Sequence, residues 1–321
     1  MPKVKTPRKG SLAYYPRKRA RRIYPRLTSY PDSDKICVLG FGGYKAGMGH
    51  VILLDTNKGS KTFGQEISKA CTILECPPMK VIGIRAYENT RGLSILGDVW
   101  VKELPKDVSR KMELKKPNTD FKVMDSNVDR ISNIRVMAST QPRLSGIGKK
   151  TPEIFEIEIG GKNINEKLEF SKKLLGKEVS AKDIFQIGEV VDVVAVTKGK
   201  GIEGPVKRFG VKIQVRHAKK KRRHIGALGS QTPRRVLWTV AQAGQLGFQT
   251  RTEFNKRILK IGEGKEINPK SGFKRYGIIK NDYIIIEGSV PGSKKRLVML
   301  RPAIRPPKVR ILVPEIRGIM V

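Results

Sequence analysis

The sequence KICVLGFGGYKAGMGHVILLD, residues 35–55, consists of short apolar runs broken by glycine. Runs of this length, rich in Val and Ile and bounded by Gly, Pro, Asn or Asp, are typical of β-strands. The same texture recurs in MKVIGIRAYE (79–88), SILGDVWVKEL (94–104), GEVVDVVAVTKGKG (188–201) and RYGIIKNDYIIIEGSVPGSKKRLVMLRPAI (275–304), the last with a Pro-Gly turn at 291–292. Few helix signals separate the strands within each group. This favours a closed or nearly closed β-barrel over a parallel α/β sheet.

Residues 105–187 have a more balanced charge and a different pattern. EIFEIEIGG alternates strictly, with Phe155, Ile157 and Ile159 on one face and Glu156 and Glu158 on the other. This alternation predicts a strand that is buried on one side only.

A helix is predicted after this strand. Asn163 is followed three residues later by Glu166, as in a capping box, and Gly176 is a suitable C-terminal residue. Between them, apolar residues recur at helical spacing at Ile164, Leu168, Leu174 and Leu175. We interpret residues 105–187 as an α+β insertion into the barrel.

The chain is strongly basic. Its 321 residues include 66 Lys and Arg but only 29 Asp and Glu, a formal net charge of +37. Such an excess repels itself unless a polyanion neutralises it, which excludes an ordinary metabolic enzyme and predicts a nucleic-acid partner.

The positive charge is concentrated in two segments without acids. No Asp or Glu occurs in residues 1–31, where prolines are interspersed, and none in residues 204–252. The first segment cannot bury enough apolar area to offset its ordering entropy, so we expect it to be disordered alone and to become ordered on its partner. The second is a long loop of the kind that is usually functional or disordered.

The cysteines and the hydropathy of the chain indicate the cellular compartment of the protein. Cys37, Cys71 and Cys76 are odd in number and lack a repeated short spacing, which argues against a disulfide framework and a four-thiolate zinc site. The N-terminus lacks the pattern of a secretory signal, and the longest apolar runs are far shorter than a bilayer crossing. We expect a soluble protein in a reducing compartment.

Two nucleotide-binding motifs are matched only in part. Gly199-Lys200-Gly201-Ile202-Glu203-Gly204 matches G-x-G-x-x-G, but Pro205 follows it and no acid lies about 20 residues further on for a ribose. Glycines that allow a tight turn or a close approach to RNA explain it better. Residues 143–151 do not complete a phosphate-binding loop of the P-loop type either.

Metal binding is also disfavoured. His50, His217 and His224 have no ligand spacing with the cysteines, and the last two lie in the basic run RHAKKKRRH. A divalent cation there would add like charge.

Aromatic residues accompany the cations. Tyr14, Tyr15, Tyr24, Phe209 and Trp238 lie in or beside the basic segments and are of the type that stacks on unpaired bases. Regular duplex DNA is usually read by a defined helix or ribbon, and no such motif is present, so RNA is favoured over DNA. A lone tryptophan beside Val and Leu is more often a buried anchor, but the position of Trp238 within an acid-free segment favours a location at the RNA.

Several of these stretches resemble a known family, the universal ribosomal large-subunit protein three in its archaeal and eukaryotic form. The matching pieces are YYPRKRA (14–20), GYKAGM (43–48), TRGL (90–93), AVTKGKGIEGPVKRFG (195–210) and VLWTVAQAGQLGFQTRTEFN (236–255). The resemblance implies a β-barrel with an α+β insertion, an N-terminal extension and a central loop that reach through large-subunit rRNA toward the peptidyl transferase centre. It implies a scaffold that acts early in assembly, with Trp238 as the tip tryptophan.

The chain departs from that family at the loop tip. Eukaryotic relatives often place a histidine before the tip proline, whereas Thr232 precedes Pro233 here and Gln231 resembles the glutamine of bacterial relatives. A modification of that histidine is therefore not transferable, and whether Gln231 is modified is open.

We therefore expect a mainly β protein with an α+β insertion. The predicted parts are a basic N-terminal extension at residues 1–34, a closed β-barrel domain at residues 35–104 and 188–321, an inserted α+β domain at residues 105–187, and a basic central loop at residues 204–262.

The expected function is that of a structural constituent of the large ribosomal subunit in the cytoplasm, with large-subunit rRNA and neighbouring ribosomal proteins as partners and without catalysis, cofactor, metal or membrane. The predicted RNA-binding residues are Arg8, Lys9, Arg17, Lys18, Arg19, Arg21, Arg22, Lys45, Lys198, Lys200, Lys207, Arg208, Arg216, Lys219, Lys220, Lys221, Arg222, Arg223, Arg234, Arg235, Trp238, Gln242 and Arg251. The predicted tip near the peptidyl transferase centre comprises Gln231, Thr232, Pro233 and Trp238. The rival hypotheses are an RNA-modifying enzyme with basic arms and a DNA-packing protein.

Overall fold

The computed structural model describes residues 8–56, 59–90, 92–114, 117–307 and 313–321. The beginning of the predicted N-terminal extension, residues 1–7, and Arg91 of the TRGL stretch lie outside the described residues. The described chain is mainly β, as expected.

Strands and short helices alternate along the described chain. The strands are β1 (Phe41–Leu54), β2 (Glu66–Glu75), β3 (Met79–Asn89), β4 (Leu93–Trp100), β5 (Asn133–Ser139), β6 (Ile154–Glu158), β7 (Glu178–Val179), β8 (Val190–Val196), β9 (Ile202–Glu203), β10 (Gly244–Gln245), β11 (Thr250–Gly262), β12 (Tyr283–Glu287), β13 (Leu297–Pro302) and β14 (Ile316–Met320). The α-helices are α1 (Lys106–Ser109), α2 (Lys122–Ser126), α3 (Ile164–Leu174) and α4 (Pro205–Phe209). None of the helices within the described ranges is long and apolar enough to cross a membrane.

The chain divides into two compact units. The first, which we call the arm unit, comprises residues Met1–Arg22 and Val196–Thr250, and the second, the body unit, comprises Ile23–Ala195 and Arg251–Val321. The end of the predicted N-terminal extension, residues 23–34, thus belongs to the body unit. Tyr24 and Leu27 are buried there, and the Tyr24 hydroxyl donates to the Ile154 carbonyl oxygen at 3.1 Å. This part of the basic segment is therefore packed against the body unit.

The larger sheet of the body unit has seven strands. Their order is β13-β8-β11-β12-β2-β1-β14, and β13 also pairs with β1. The pairings of β13 with β1 and β8 are both antiparallel, with Leu300 opposite Phe41 on one side and opposite Val193 on the other. Side chains such as Tyr44, Ile73 and Tyr283 fill the core beside this sheet and are almost completely buried.

Strand β1 depends on a glycine for one of these pairings. A Cβ atom at Gly49 would lie 2.4 Å from the Met320 carbonyl oxygen of β14. Only glycine allows the two backbones to come this close at this position.

The smaller sheet of the body unit has five strands. Their order is β4-β3-β5-β6, and β7 pairs with β3. Strands β3 and β4, which the sequence analysis assigned to the barrel segment 35–104, therefore share a sheet with β5 and β6 of the predicted insertion. Single-strand patterns do not indicate which strands pair, so this assignment could not be made from the sequence.

The predicted one-sided strand is confirmed as β6. Phe155 and Ile157 are buried, as is Ile159 just beyond the strand, while Glu156 and Glu158 lie on the other face. This outer face carries ion pairs: Glu156 with Arg85 at 2.5 Å, and Glu158 with Arg135 at 3.5 Å.

The predicted helix is confirmed as α3. The Asn163 side chain accepts a hydrogen bond from the Asn165 backbone N–H at 3.1 Å, and Gly176 follows the helix with φ of +79°. Glu166 does not close the predicted capping box on the Asn163 backbone. Its Oε1 instead accepts from the Asn163 side-chain amide at 3.1 Å.

A buried carboxylate holds the end of β2 against the loop before β12. Glu75 is fully buried and accepts hydrogen bonds from the Tyr276 hydroxyl at 2.5 Å, from the Lys280 N–H at 2.9 Å, and from both the backbone and the side-chain amide of Asn281. Hydrogen bonds to a buried charge are stronger than those to a neutral oxygen, about 1.5–3 against about 0.5–1.5 kcal/mol each.

We predict that Glu75→Gln lowers the free energy of unfolding by about 2 kcal/mol or more. The substitution replaces a charged group with two acceptor oxygens by an amide with one acceptor oxygen, while the same four donors remain. Glu66→Gln, at the exposed beginning of the same strand, is the matched control and should change stability by less than about 0.5 kcal/mol. Denaturant unfolding followed by circular dichroism measures both. Equal stabilities of the two variants would contradict a stabilising role for Glu75.

Candidate nucleic-acid interface

The arm unit is almost free of acids. Residues 1–22 contain nine Lys and Arg and residues 196–250 contain thirteen, whereas the only acid in these ranges is Glu203. That carboxylate forms an ion pair with Lys207 one helical turn away. The arm unit thus has a single carboxylate for its twenty-two cations.

The cations of residues 216–235 project into solvent. All eight Lys and Arg in this range are exposed, and every residue from Gly226 to Trp238 is exposed. Short 3-10 turns lie within Arg216–Lys221, and the Gln214 N–H donates to the Arg222 carbonyl oxygen at 2.9 Å across them. The segment is a loop of exposed backbone and charge, as the sequence predicts.

The two parts of the arm unit are joined by an aromatic and cationic cluster. The Tyr15 ring stacks on Phe209 at 6.4 Å between centroids and meets Trp238 edge-on at 5.0 Å. The Arg17 guanidinium lies 4.4 Å from the Phe209 ring centroid and 5.4 Å from that of Tyr15. Arg19 makes a further cation–π contact with Phe248 at 4.9 Å. Such contacts stabilise by roughly 0.5–2 kcal/mol each and orient the guanidinium groups.

Arg208 supports the same cluster from α4. Its guanidinium donates to the Gln245 carbonyl oxygen at 3.1 Å and to the Gln242 carbonyl oxygen at 2.9 Å. Burial lowers the pKa of Arg208 below its usual range, and repulsion from Arg17 lowers it further. The guanidinium groups of Arg17 and Arg208 are thus held close together, and a bound anion would relieve the repulsion between them.

A short backbone ladder closes the central loop. Gly244 and Gln245 pair with Glu203 and Ile202, and the Leu246 N–H donates to the Gly201 carbonyl oxygen at 2.9 Å. Gly247 has φ of +71°, and a Cβ atom there would lie 2.0 Å from the Lys198 carbonyl oxygen. Glycine is required at this position because both the backbone conformation and the close approach exclude a side chain.

Most predicted site residues lie at the surface of the arm unit. Exposed positions are Arg8, Lys9, Lys18, Arg19, Arg21, Arg22, Lys198, Lys200, Lys207, Arg216, Lys219, Lys220, Lys221, Arg222, Arg223, Gln231, Thr232, Pro233, Arg234, Arg235, Trp238 and Gln242, while Arg17 and Arg208 are partly buried. Trp238 is 68% exposed, so it is not the buried anchor that its neighbours in sequence would suggest.

Two predicted site residues are outside the arm unit. Lys45 is 7% exposed, and its Nζ donates to the Val290 carbonyl oxygen at 2.5 Å within the body unit. It is held inside the body unit by this hydrogen bond, and its contact with rRNA stays a prediction. Arg251 is partly buried at the start of the body unit's part of β11.

Two of the aromatic residues proposed for base stacking are buried. Tyr24 belongs to the core of the body unit, and Phe209 is 6% exposed beneath Arg17 and Tyr15. The sequence shows which aromatic residues lie among cations, but it does not show which of their rings are buried and which are exposed. Tyr14, at 55% exposed, and Trp238 remain accessible.

The chemistry of the described side chains does not suggest catalysis. Burial raises the pKa of the Cys71 and Cys76 thiols, which keeps both protonated and poorly nucleophilic. No group of three or more His, Cys, Asp or Glu in the described parts of the chain is arranged to hold a metal ion. The five-residue helix α4 follows Gly199–Gly204, contrary to expectation, but β8 before it is antiparallel to its neighbour β13, unlike the parallel strands of a βαβ unit.

A nearly acid-free unit with oriented guanidinium groups and an accessible tryptophan, in a mainly β chain, defines a nucleic-acid-binding protein. Comparison with known proteins gives the family. The model of the family described as "Ribosomal protein L3" matches residues 1–319, and the chain belongs to this family.

Archaeal relatives match nearly the whole chain. The protein named "Large ribosomal subunit protein uL3" from Methanothermobacter thermautotrophicus is 50% identical over 93% of this chain and 92% of its own. Proteins of the same name from Methanopyrus kandleri and Methanocaldococcus jannaschii are 49% and 48% identical, over 94% and 98% of this chain and 86% and 96% of their own. The resemblance inferred from the sequence is therefore confirmed.

Proposed function

We propose that the chain is a structural constituent of the large ribosomal subunit that binds large-subunit rRNA through its arm unit. The observation that carries this proposal is the ratio of twenty-two Lys and Arg to one acid in the arm unit, most of them exposed. Phosphates are the partner that such a surface requires, because neutralising them releases condensed counterions and stabilises the complex. Membership of the ribosomal protein L3 family and the names of the archaeal relatives support it.

The role is one of scaffolding and not of catalysis. Membership of the ribosomal protein L3 family and the names of the archaeal relatives support this role. We expect the protein to aid folding of the rRNA during assembly, with neighbouring large-subunit proteins as its other partners, and its central loop to support the region around the peptidyl transferase centre.

The proposed contact residues are those of the arm unit named above, and Lys45 and Arg251 of the body unit stay predictions. Residues 216–235 and Trp238 form the central loop surface, with Gln231, Thr232 and Pro233 at its tip. Arg8, Lys9 and Arg17–Arg22 form the second surface, and Arg8 already donates to the Thr239 carbonyl oxygen at 2.7 Å. The two predicted extensions therefore act as one unit, and a variant in either should affect the same rRNA contacts.

We further propose that six strands of the larger sheet form a closed barrel. The supporting observation is the cycle of pairings β13-β8-β11-β12-β2-β1, in which β1 returns to β13. Closure would leave β14 as an added strand on β1 and remove the other sheet edges. The assignment of residues 105–187 as an insertion into this barrel likewise remains a proposal.

Reconstitution tests the proposed function. Large subunits are reconstituted from the rRNA and large-subunit proteins of a methanogenic archaeon with its own copy of this protein left out, the purified chain is supplied in its place, and the mixture is sedimented together with small subunits through a gradient containing about 0.5 M salt. We expect the chain to sediment with the large subunit and not with the small one. Recovery only at the top of the gradient, or equal recovery with both subunits, would contradict the proposal.

A further inference from the structure

Strand β4 presents an open edge of the smaller sheet. It is the last strand of that sheet and pairs with β3, and none of the described residues outside β3 hydrogen-bonds to the backbone of residues 93–97. The rest of β4 is covered, because the Trp100 N–H donates to the Asn118 carbonyl oxygen at 2.7 Å and the Asn118 side-chain amide donates to the Asp98 carbonyl oxygen at 3.1 Å. The open part is about 17 Å long, which is the usual length of one strand.

The open edge lacks the features that commonly protect an edge strand from pairing. Such strands are blocked by charged side chains, by proline or by a covering segment. Residues 93–97, LSILG, contain no charge and no proline. The opposite edge of the same sheet is covered, since the Leu39 N–H donates to the Glu158 carbonyl oxygen of β6 at 2.9 Å. The bare edge of β4 is therefore a template for the addition of a strand.

Exposed apolar side chains lie beside this edge. Leu93 is 50% exposed and Ile95 is 54% exposed. Ile95 is opposite Tyr87 of β3, and the Tyr87 hydroxyl donates to Glu156 on the outer face of the sheet at 2.6 Å. Leu93 is two residues away from Ile95 and therefore lies on the same face. A strand added to β4 would cover both side chains with its own alternate side chains.

The charges around the open edge do not favour phosphate. Residues 93–130 contain eight Lys and Arg and seven Asp and Glu, whereas the whole chain has 66 and 29. The Arg85 guanidinium pairs with Asp98 at 2.6 Å, and the Arg130 guanidinium pairs with Glu88 at 2.9 Å. Carboxylates already neutralise these cations, so the groups that remain to be paired are backbone N–H and C=O groups. Their chemistry specifies an extended polypeptide and not RNA.

We propose that the open edge of β4 receives an extended segment of a neighbouring large-subunit protein, which adds a strand to the smaller sheet and packs apolar side chains on Leu93 and Ile95. The inference rests on the proposed function, since assembly into the large subunit supplies the partner. A second copy of this chain is a poor occupant, because two chains of net charge +37 repel each other. The segment that fits has four or five extended residues with apolar side chains at alternate positions.

Hydrogen exchange of the full chain in three states tests the proposal. The states are the chain alone, the chain bound to large-subunit rRNA, and the chain in reconstituted large subunits that contain no other copy of it. Strand addition pairs the outward N–H groups of β4. We therefore expect amides within residues 93–97 to exchange about tenfold or more slowly in the subunit than in the other two states.

A charged side chain at the edge distinguishes strand addition from general shielding in the particle. Ile95→Lys places an ammonium where the added strand would cover it, so the protection of residues 93–97 in the subunit should be lost. Ile278→Lys makes the same change at a position of the body unit that is 57% exposed and lies outside β4, and it should keep the protection. Both variants should sediment with the large subunit, because neither alters the arm unit.

A photoreactive benzoylphenylalanine in place of Leu93 identifies the occupant. Irradiation of the reconstituted subunit should cross-link it to a large-subunit protein, and mass spectrometry should place the cross-link in a segment with apolar residues at alternate positions. The same group in place of Ile278 should not cross-link to that segment.

The other results overturn the proposal. Equal exchange of residues 93–97 in the subunit and in the free chain shows that the edge stays open, and protection that survives Ile95→Lys shows that no strand is added. Protection by rRNA alone, or a cross-link to rRNA, shows an RNA contact. Protection in the chain alone that rises with its concentration shows a second copy at the edge. Failure of the chain to enter the subunit contradicts the proposed function itself, and this inference fails with it.

Discussion

Replacing Lys219, Lys220, Lys221, Arg222 and Arg223 by glutamine is expected to weaken binding to large-subunit rRNA by about a hundredfold to a thousandfold at physiological salt, if all five contact phosphates. All five side chains are exposed, and no acid of the arm unit competes for them. Each phosphate contact contributes about 0.7 to 0.9 to the slope of log affinity against log salt, so the slope should fall by up to about 4. Filter binding of rRNA fragments from about 0.05 to 0.5 M salt measures both quantities.

A charge-matched control separates a local effect from the effect of net charge. Lys173, Lys177, Lys270, Lys274 and Lys280 are exposed lysines of the body unit, and replacing all five by glutamine removes the same charge. We expect a change in slope of less than about 1, because most of these positions would lie away from the rRNA. Similar slopes in the two variants would show that binding follows total charge and not the arm unit.

Gly247→Ala should disrupt the base of the central loop. Its Cβ atom would lie 2.0 Å from the Lys198 carbonyl oxygen, and alanine is strained by about 1–2 kcal/mol at a φ of +71°. Relief of the clash must separate the two backbone segments and break the hydrogen bond from the Phe248 N–H to that carbonyl oxygen, at 3.2 Å, so the combined cost is about 3 kcal/mol or more. We expect hydrogen exchange to accelerate at Lys200, Leu246 and Phe248, and rRNA affinity to fall.

Two other glycines serve as graded controls for this substitution. Gly201 has φ of +69°, but a Cβ atom there would meet nothing within 4 Å, so Gly201→Ala carries only the backbone strain. Gly204 has φ of −71° and equally open surroundings, so Gly204→Ala should be close to neutral. The predicted order of loss of exchange protection is Gly247, then Gly201, then Gly204. The account of loop closure would be wrong if Gly247→Ala behaved like Gly201→Ala.

Local patterns predicted many elements of the fold. The apolar runs at 35–55 and 79–88 contain β1 and β3, the alternation around Phe155 is β6, and the cap at Asn163 begins α3. These features are readable because they depend on the side chains of one segment. Which strands pair is decided by contacts distant in sequence, so the pairing of β3 with β4, β5 and β7 could not be read from the strand patterns.

Charged strands were missed for a related reason. Strand β2 has the sequence EISKACTILE, residues 66–75, and β11 has the sequence TRTEFNKRILKIG, residues 250–262. Residues 250–262 were predicted to belong to the central loop. Strand β2 is buried only in its second half, and β11 is buried only at Ile258 and Leu259, so the apolar stretch in each is short. Sheet pairing, and not propensity, stabilises these strands.

The candidate site was predictable in composition but not in arrangement. Acid-free segments identified the cations of residues 8–22 and 196–250, because charge runs are visible in sequence. The support of Arg17 by Phe209 and the burial of Lys45 depend on residues far apart in the chain. A cleft beside Trp238 likewise arises only when residues 15–18 meet residues 236–243.

The central claim is that the arm unit, and not the body, is the principal rRNA contact. Ultraviolet cross-linking of intact large subunits, followed by mass spectrometry of the peptides of this protein that retain a nucleotide, tests it most directly. We predict that cross-linked peptides come mainly from residues 8–22 and 196–250, with Trp238 among the cross-linked positions. Cross-links confined to residues 23–195 and 251–321 would contradict the account.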